Sequence, residues 1–269
     1  MKKLFFLLLT SAALQTRAQD TTKWTLVWHD EFNYTGLPNR KYWNYEEGLV
    51  RNKEPQYYTK ARAENARVEG GNLVIEARKE SLPGIPAAYT SASLVTLNKL
   101  SIQTGTRIEV RARVPKGRGS WPAVWMLGED RNQVKWPFCG EIDIMEFVGR
   151  DSTRVYGTMH YADDKGQYGT KGEKPVVGSP YDGYHLYAID WRSDNITFYY
   201  DSLPYFVFDL TKVQKTTRDI FNRKFYLLLN LALGRQGTLG GPLDDAILPC
   251  RYYIDYVRVY REKGNHKSL

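Results

Sequence analysis

Residues 140–149, Gly-Glu-Ile-Asp-Ile-Met-Glu-Phe-Val-Gly, constrain the fold of this chain more than any other segment. Apolar residues that favour β-structure alternate with acids there, and glycines bound the run, which predicts a strand. Side chains of a strand point alternately to its two faces, so Glu141 and Asp143 share one face. Glu146 would point the other way in a regular strand. One β-bulge between Asp143 and Glu146 would return it to the shared face.

Three acids on one face repel one another, which raises the pKa of at least one of them. This repulsion adds nothing to the stability of the fold, so the arrangement indicates a chemical use. The alternative is an exposed strand with a solvated acidic edge. Three tryptophans close before the acids favour the chemical interpretation, because flat aromatic rings stack well on sugar rings. Single tryptophans more often belong to a core.

Two carboxylates are sufficient to hydrolyse a glycosidic bond, one as the nucleophile and one as the general acid/base. In retaining enzymes the two carboxyl groups lie about 5–5.5 Å apart. The side chains of Glu141 and Glu146 can lean together to this distance on one bulged strand. Asp143 lies between them and can hydrogen-bond the nucleophile.

The remaining chain has the pattern of short strands and turns, with weak helical periodicity only near residues 211–222. Many short strands at regular spacing predict a β-sandwich or a barrel. Gly70-Gly71 predicts a hairpin turn, and the apolar residues 225–233 predict a strand that is buried on both faces. Loops 81–90 and 163–183 are rich in Gly, Pro, Ser and Tyr, and we expect them to border a cleft.

The first eighteen residues have the features of a secretory signal peptide: a basic start, an apolar run at 4–14, and a small-x-small end at Ala18. We therefore expect one catalytic β-sandwich domain over residues 19–269 and a secreted or periplasmic protein. A lipid anchor is not indicated, because the sequence has no cysteine near Ala18. No other apolar run is long enough to span a membrane. We expect a monomer.

The chain has a formal charge of +8, and removal of Lys2, Lys3 and Arg17 with the signal peptide leaves +5. These charges are scattered, which predicts a solvated surface and no nucleic-acid partner, and leaves a mild attraction to anionic polymers open. Export would allow a disulfide between Cys139 and Cys250. Two buried free thiols are the favoured interpretation.

Six segments carry a family resemblance that runs from about Trp24 to Tyr260: residues 55–59, 72–80, 119–128, 136–149, 229–234 and 255–260. With them the chain resembles glycoside hydrolase family sixteen, in its laminarinase-like branch. The resemblance implies a two-sheet antiparallel β-sandwich, the concanavalin-like jelly roll, with an open substrate cleft on its concave face.

The same resemblance implies that Glu141 is the nucleophile, Asp143 its assistant and Glu146 the acid/base, without a cofactor for catalysis. The residues that it places in the cleft are Asn52, Glu109, Trp121, Trp125, Trp136, His160 and Asn230. Asn230 and His160 can alternatively be structural residues of the interior, and Glu109 a solvent-facing strand residue. A structural calcium ion on the convex face is also implied, with the ligands Glu31, the carbonyl of Gly71 and Asp255; oxygen ligands suit calcium.

The leading hypothesis is a retaining endo-glycanase that acts on β-1,3- or mixed-linked β-1,3(1,4)-glucan. Two features depart from the family pattern: the turn at residues 235–242 lacks the tryptophan of many relatives, and Pro55 replaces their leucine. The missing tryptophan, together with the basic charge of the chain, keeps a second enzyme open, an endo-β-1,4-galactosidase acting on the poly-lactosamine of mucin or keratan-like glycans. A third possibility is a non-catalytic lectin-like module, which would not need the three acids.

Overall fold

The computed structural model of the protein describes residues 23–264, and the predicted signal peptide lies outside the described residues. The regular structure consists almost entirely of strands, with one short helix, α1 (Lys215–Ile220), and one 3-10 turn (Asp245–Ile247). The strands are β1 (Trp24–Asp30), β2 (Asn44–Tyr45), β3 (Gln56–Tyr58), β4 (Ala66–Glu69), β5 (Asn72–Lys79), β6 (Tyr89–Ser91), β7 (Ser93–Val95), β8 (Thr106–Arg113), β9 (Ser120–Gly128), β10 (Glu141–Glu146), β11 (Tyr156–Ala162), β12 (Tyr168–Glu173), β13 (His185–Trp191), β14 (Asn195–Tyr200), β15 (Leu203–Asp209), β16 (Phe225–Leu233) and β17 (Cys250–Glu262).

These strands form two sheets, which confirms the predicted sandwich and excludes the barrel. Sheet A has ten strands in the order β15-β14-β13-β8-β17-β5-β6-β3, with β1 beside β17 and β4 beside β5. Sheet B has seven strands in the order β12-β11-β10-β9-β16-β7-β2. The pairs are antiparallel except for β3 and β6, which run parallel.

One hydrophobic core lies between the sheets. Sheet A contributes alternate residues of β8, such as Ile108 and Val110, and sheet B contributes Leu227, Leu229 and Leu231 of β16. All nine residues of β16 are buried, as the apolar run predicts. The residues of β16 between these leucines point to the opposite face of sheet B, where a second apolar cluster includes Tyr226 and Leu228. We call this side of sheet B the cleft face.

The turn between β4 and β5 consists of Gly70 and Gly71, as predicted. Their φ angles of 57° and 75° lie in the left-handed region, which glycine adopts without steric cost. The prediction of a loop over residues 163–183 is wrong in part, because β12 lies within this segment. This strand is polar, exposed and at the edge of sheet B, where backbone pairing with β11 forms it without a hydrophobic pattern.

Both cysteines, Cys139 and Cys250, are buried and free, as the favoured interpretation predicts. Burial raises the pKa of both thiols, that of Cys139 to about 11 and that of Cys250 to about 12. Both therefore stay neutral at physiological pH. In the part of the chain that the structure describes, no helix has the length and apolar character needed to cross a membrane.

Candidate active site

Strand β10 contains the bulge that the acidic pattern predicts. Along β11, Glu141 pairs with His160 and Asp143 with Thr158, but the next pair is Glu146 with Tyr156. The register therefore shifts between Asp143 and Glu146. The two residues inside the bulge, Ile144 and Met145, both enter the core. Glu146 consequently returns to the face that Glu141 and Asp143 occupy.

The three carboxylates open into a cleft of about 680 Å³ on the cleft face of sheet B. The cleft crosses four adjacent strands, β11, β10, β9 and β16. Six of the seven predicted substrate-binding residues also line it: Asn52, Trp121, Trp125, Trp136, His160 and Asn230. The structure therefore brings together side chains that are up to 178 positions apart in the sequence, from Asn52 to Asn230.

Each of the two glutamates of β10 accepts a hydrogen bond from a different tryptophan. The indole Nε1 of Trp136 donates to Oε2 of Glu141 at 3.0 Å. The indole Nε1 of Trp121 donates to Oε1 of Glu146 at 2.9 Å. These two bonds hold both carboxylates in fixed orientations, and each bond favours the ionised form of its acceptor.

His160 completes the surroundings of the acids. Its Nε2 lies 2.9 Å from Oδ2 of Asp143 and 3.8 Å from Oε1 of Glu141. Its other nitrogen, Nδ1, lies 2.7 Å from the hydroxyl of Tyr168, a residue of β12. His160 thus connects the edge strand with the acidic strand, so it is more than a packing residue of the interior.

The pKa values of all three acids are raised above the ordinary range. Burial raises the pKa of Glu141 to about 8, and the nearby charge of Asp143 adds to this effect. Burial also raises the pKa of Glu146 to about 7; the indole of Trp121 opposes the rise, and the charge of Glu141 increases it. The pKa of Asp143 lies well above its ordinary value, first because of burial and then because of Glu146. The three groups therefore cannot all be ionised near neutral pH.

The tryptophans of the cleft differ in what they can offer a sugar ring. Trp121 and Trp125 are only 8% and 7% exposed. The indole of Trp125 donates to Oδ1 of Asn230 at 2.7 Å, and the guanidinium of Arg51 lies 4.8 Å from its ring centre. Trp136, in contrast, is 49% exposed. Of the three rings, that of Trp136 is the most accessible to a sugar.

Glu109 does not line the cleft, so this expectation is wrong. It lies on β8 of sheet A and pairs with Ala188, while its neighbours Ile108 and Val110 point into the core. Strand alternation consequently turns Glu109 to the outer face of the other sheet, where its carboxylate accepts a hydrogen bond from Arg107 at 2.8 Å.

Several cleft residues had no strong signal in the sequence. Arg51, Glu54, Tyr156 and Leu239 all line the cleft. Glu54 and Leu239 belong to the two segments that depart from the family pattern, and this departure is the one signal that could have identified them. Tyr168 comes from the predicted loop, and its ring centre lies 4.9 Å from that of Trp136.

One group of side chains in residues 23–264 has the composition and spacing of a metal site. The ligand atoms of Glu141, Asp143 and His160 lie within 4.8 Å of one another. These residues are the acids and the histidine that β10 and β11 bring together, and Nε2 of His160 already lies 2.9 Å from the carboxylate of Asp143.

A two-sheet sandwich whose bulged strand presents two glutamates to an open cleft is the arrangement of a glycoside hydrolase. The family model of Glycosyl hydrolases family 16 matches residues 53–232. The chain belongs to this family, whose members hydrolyse glycosidic bonds with retention of configuration at the anomeric carbon. The family resemblance in the sequence is thereby confirmed.

Proteins of known activity agree with this assignment. A β-glucanase of Rhodothermus marinus is 43% identical over 256 residues, which cover 91% of this chain and 88% of that protein. The crystal structure of the laminarinase from Rhodothermus marinus has a TM-score of 0.81 at 44% identity, covering 89% of this chain and 98% of that chain. The structure of SCLam, a non-specific endo-β-1,3(4)-glucanase, has a TM-score of 0.81 at 38% identity. The match covers 89% of this chain and 92% of that chain.

A relative with the alternative activity is less similar. The keratan-sulfate endo-1,4-β-galactosidase of Sphingobacterium multivorum is 36% identical over 245 residues, covering 90% of this chain and 56% of that protein. The comparisons therefore favour the leading hypothesis over the galactosidase.

Proposed function

We propose that this protein is an endo-glucanase that hydrolyses internal bonds of β-1,3- or mixed-linked β-1,3(1,4)-glucan. The observation that carries the proposal is the pair Glu141 and Glu146 on the floor of one cleft, each held by its own indole donor. The cleft crosses four strands as an open groove, which allows a polysaccharide to pass through it and be cut internally. The activities named for the β-glucanase and laminarinase relatives support the choice of glucan.

In our proposal the protons are divided unequally among the three acids. Asp143 keeps its proton, because burial raises its pKa well above the ordinary value and the charge of Glu146 adds to the rise. A neutral Asp143 removes one cause of the raised pKa of Glu141. Glu141 can then ionise with the help of the indole of Trp136. Glu146 remains protonated up to about pH 7.

The reaction then follows two displacements. Glu141 attacks the anomeric carbon while Glu146 gives its proton to the departing oxygen, and a glycosyl-enzyme forms. Glu146 is now a carboxylate and removes a proton from water, which attacks the same carbon and releases Glu141. Two inversions at one carbon give net retention. The kcat should depend on pH as a bell, since one acid must be ionised and the other protonated.

A hydrolysis screen tests the substrate. Laminarin, lichenan, agarose and poly-lactosamine are incubated with the enzyme, and reducing ends and product sizes are measured. We expect laminarin and lichenan to be shortened to oligosaccharides, and the other two to remain intact. Cleavage of poly-lactosamine alone would contradict the glucan proposal, and glucose as the sole early product would contradict internal cleavage.

Trp136 should act both as a sugar platform and as a hydrogen-bond donor to Glu141. Trp136→Ala removes both functions, so we expect KM to rise roughly tenfold and kcat to fall as well. Trp136→Phe keeps a ring but lacks the N–H group. It should keep KM within a few-fold and lower kcat. The measurement is steady-state kinetics on laminarin; an unchanged KM in Trp136→Ala would refute the platform.

A structural calcium ion at Glu31, the carbonyl of Gly71 and Asp255 stays a prediction. Both carboxylates have arginine partners: Arg258 bonds both oxygens of Glu31 at 2.8 Å, and Arg111 binds Asp255. The donor set therefore fits calcium only if both ion pairs open. In that case calcium raises the Tm and a chelator lowers it without changing kcat. A Tm that does not respond to either contradicts the calcium site.

Secretion, the single-domain organisation over residues 19–269 and the monomeric state also stay proposals. The composition of residues 1–18 supports export. Mass spectrometry of the protein recovered outside the cells would identify its first residue, which we expect to be Gln19. Light scattering measures the mass of the particle in solution.

A further inference from the structure

A second pocket, of about 560 Å³, lies beside the catalytic cleft. It is formed at the end of sheet B where β16, β7 and β2 are adjacent. Tyr226 of β16 lines this pocket. It lies on the cleft face of sheet B, the same face as Asn230, which is four residues later in the strand and lines the cleft. Arg131 lines both cavities, so the pocket continues the cleft toward the edge of the sheet.

The pocket has a strong excess of positive charge. Four cations line it, Arg40, Lys60, Lys99 and Arg131, against a single acid, Glu46. The carboxylate of Glu46 is already engaged by Arg51 and by Ser93, which donates to it at 2.6 Å, and Arg131 lies 3.7 Å from its other oxygen. Within residues 23–264 no carboxylate forms an ion pair with Arg40, Lys60 or Lys99. Solvated surface cations are usually scattered among acids, whereas these converge on one concavity.

The position of the pocket relates it to a substrate in the cleft. The catalytic strand β10 and strand β7 are separated by three strand spacings, about 14 Å. A polysaccharide that extends from the acids along the cleft face would therefore reach the pocket after several sugar units. Only a substituent or a backbone group with negative charge would gain from Arg40, Lys60 and Lys99 there.

We propose that this pocket is a subsite for an anionic substituent, a carboxylate or a sulfate ester, on the glycan that the cleft binds. This inference rests on the proposed glucanase function and adds to it: the preferred substrate is a β-glucan that carries acidic groups. The subsite lies away from the bond that breaks, so it binds substrate and transition state equally. Its contribution should therefore be visible in KM rather than in kcat.

The test compares the double variant Lys60→Ala/Lys99→Ala with wild-type enzyme on three substrates: neutral laminarin, carboxymethylated β-1,3-glucan and sulfated β-1,3-glucan. Both lysines are exposed, so the fold does not depend on them. The matched control is Lys212→Ala/Lys215→Ala, which removes the same charge from residues that line neither cavity. We expect the ratio of KM on charged glucan to KM on laminarin to rise roughly tenfold in the first variant and to stay unchanged in the control.

The outcomes separate this inference from the proposed function. A response with both charged glucans supports a general anion subsite, and a response with one of them identifies the substituent. An unchanged ratio of the two KM values, or an equal change of that ratio in the control, overturns the inference. The glucanase proposal still stands in that case if the enzyme hydrolyses laminarin. If wild-type enzyme cleaves none of the glucans, calorimetry with a carboxymethylated oligosaccharide decides: binding that Lys60→Ala/Lys99→Ala weakens supports the subsite, and equal binding overturns it.

Discussion

Replacing Glu141 with alanine should lower kcat on every glycan substrate by more than about 10⁴-fold, as the loss of a catalytic nucleophile does in other hydrolases. Without its carboxylate no glycosyl-enzyme can form, and Glu146 cannot replace it because it must deliver the proton. Activity is measured as the release of reducing ends from laminarin. Glu173→Ala is the matched control, since Glu173 is an exposed residue of β12 in the same sheet and should keep full activity. Residual activity within 100-fold of wild type would contradict the assignment.

A neutral glutamine in place of Glu141 should stabilise the fold, with a pH dependence that follows from the raised pKa. Folding raises the pKa of Glu141 from 4.5 to about 8, mainly by burial, so its ionised form destabilises the folded state. This cost is absent below about pH 4.5 and complete above pH 8. At pH 9, Glu141→Gln should therefore melt at a higher temperature than wild type, with a free energy of unfolding larger by more than about 1.4 kcal/mol. At pH 4 the two proteins should melt at nearly the same temperature. Calorimetric melting of both proteins at both pH values checks this.

Replacing Glu146 with alanine should have the second large effect, which depends on the leaving group. On laminarin, where the departing oxygen needs a proton, we expect kcat to fall by about 10²–10⁴-fold. In an aryl β-glycoside with an acidic phenol, the phenolate leaves without protonation, so the first step should be nearly normal. A burst of phenol should then precede slow turnover. Azide needs no general base and should accelerate that turnover. Equal losses on laminarin and on the aryl glycoside would contradict the role of Glu146 as the acid.

The acidic strand was predictable because its pattern has one physical solution. Three acids whose spacing conflicts with strand alternation can share a face only through a bulge, and β10 has the bulge at that place. The bulge also explains why Ile144 and Met145 are both apolar, since both enter the core. Local pattern and chemistry therefore agree in this segment.

Glu109 shows what a pattern within one strand cannot decide. Alternation correctly separates Glu109 from Ile108 and Val110, but it does not say to which sheet the strand belongs. Sheet membership depends on pairing with β13 and β17, which lie about 80 and 150 positions later in the chain. Such long-range pairing leaves no trace in the local sequence.

The accessible aromatic platform could not be predicted for a related reason. Trp121, Trp125 and Trp136 are equal by residue type, and their exposure depends on what covers them. Arg51 lies over Trp125, while β12 supplies Tyr168 beside Trp136. Strand β12 has no hydrophobic alternation, because it is an exposed edge strand that backbone hydrogen bonds hold in place.

The configuration of the azide products tests the central claim, which is that Glu141 and Glu146 have separate roles. Glu146→Ala and Glu141→Ala are each incubated with an activated β-glucoside and azide, and the anomeric configuration of the glycosyl azide is determined by NMR. Glu146→Ala should give the β-azide, because azide displaces Glu141 from an α-linked glycosyl-enzyme. Glu141→Ala should give only the α-azide, by one direct displacement. A β-azide from Glu141→Ala, or an α-azide from Glu146→Ala, would contradict the account.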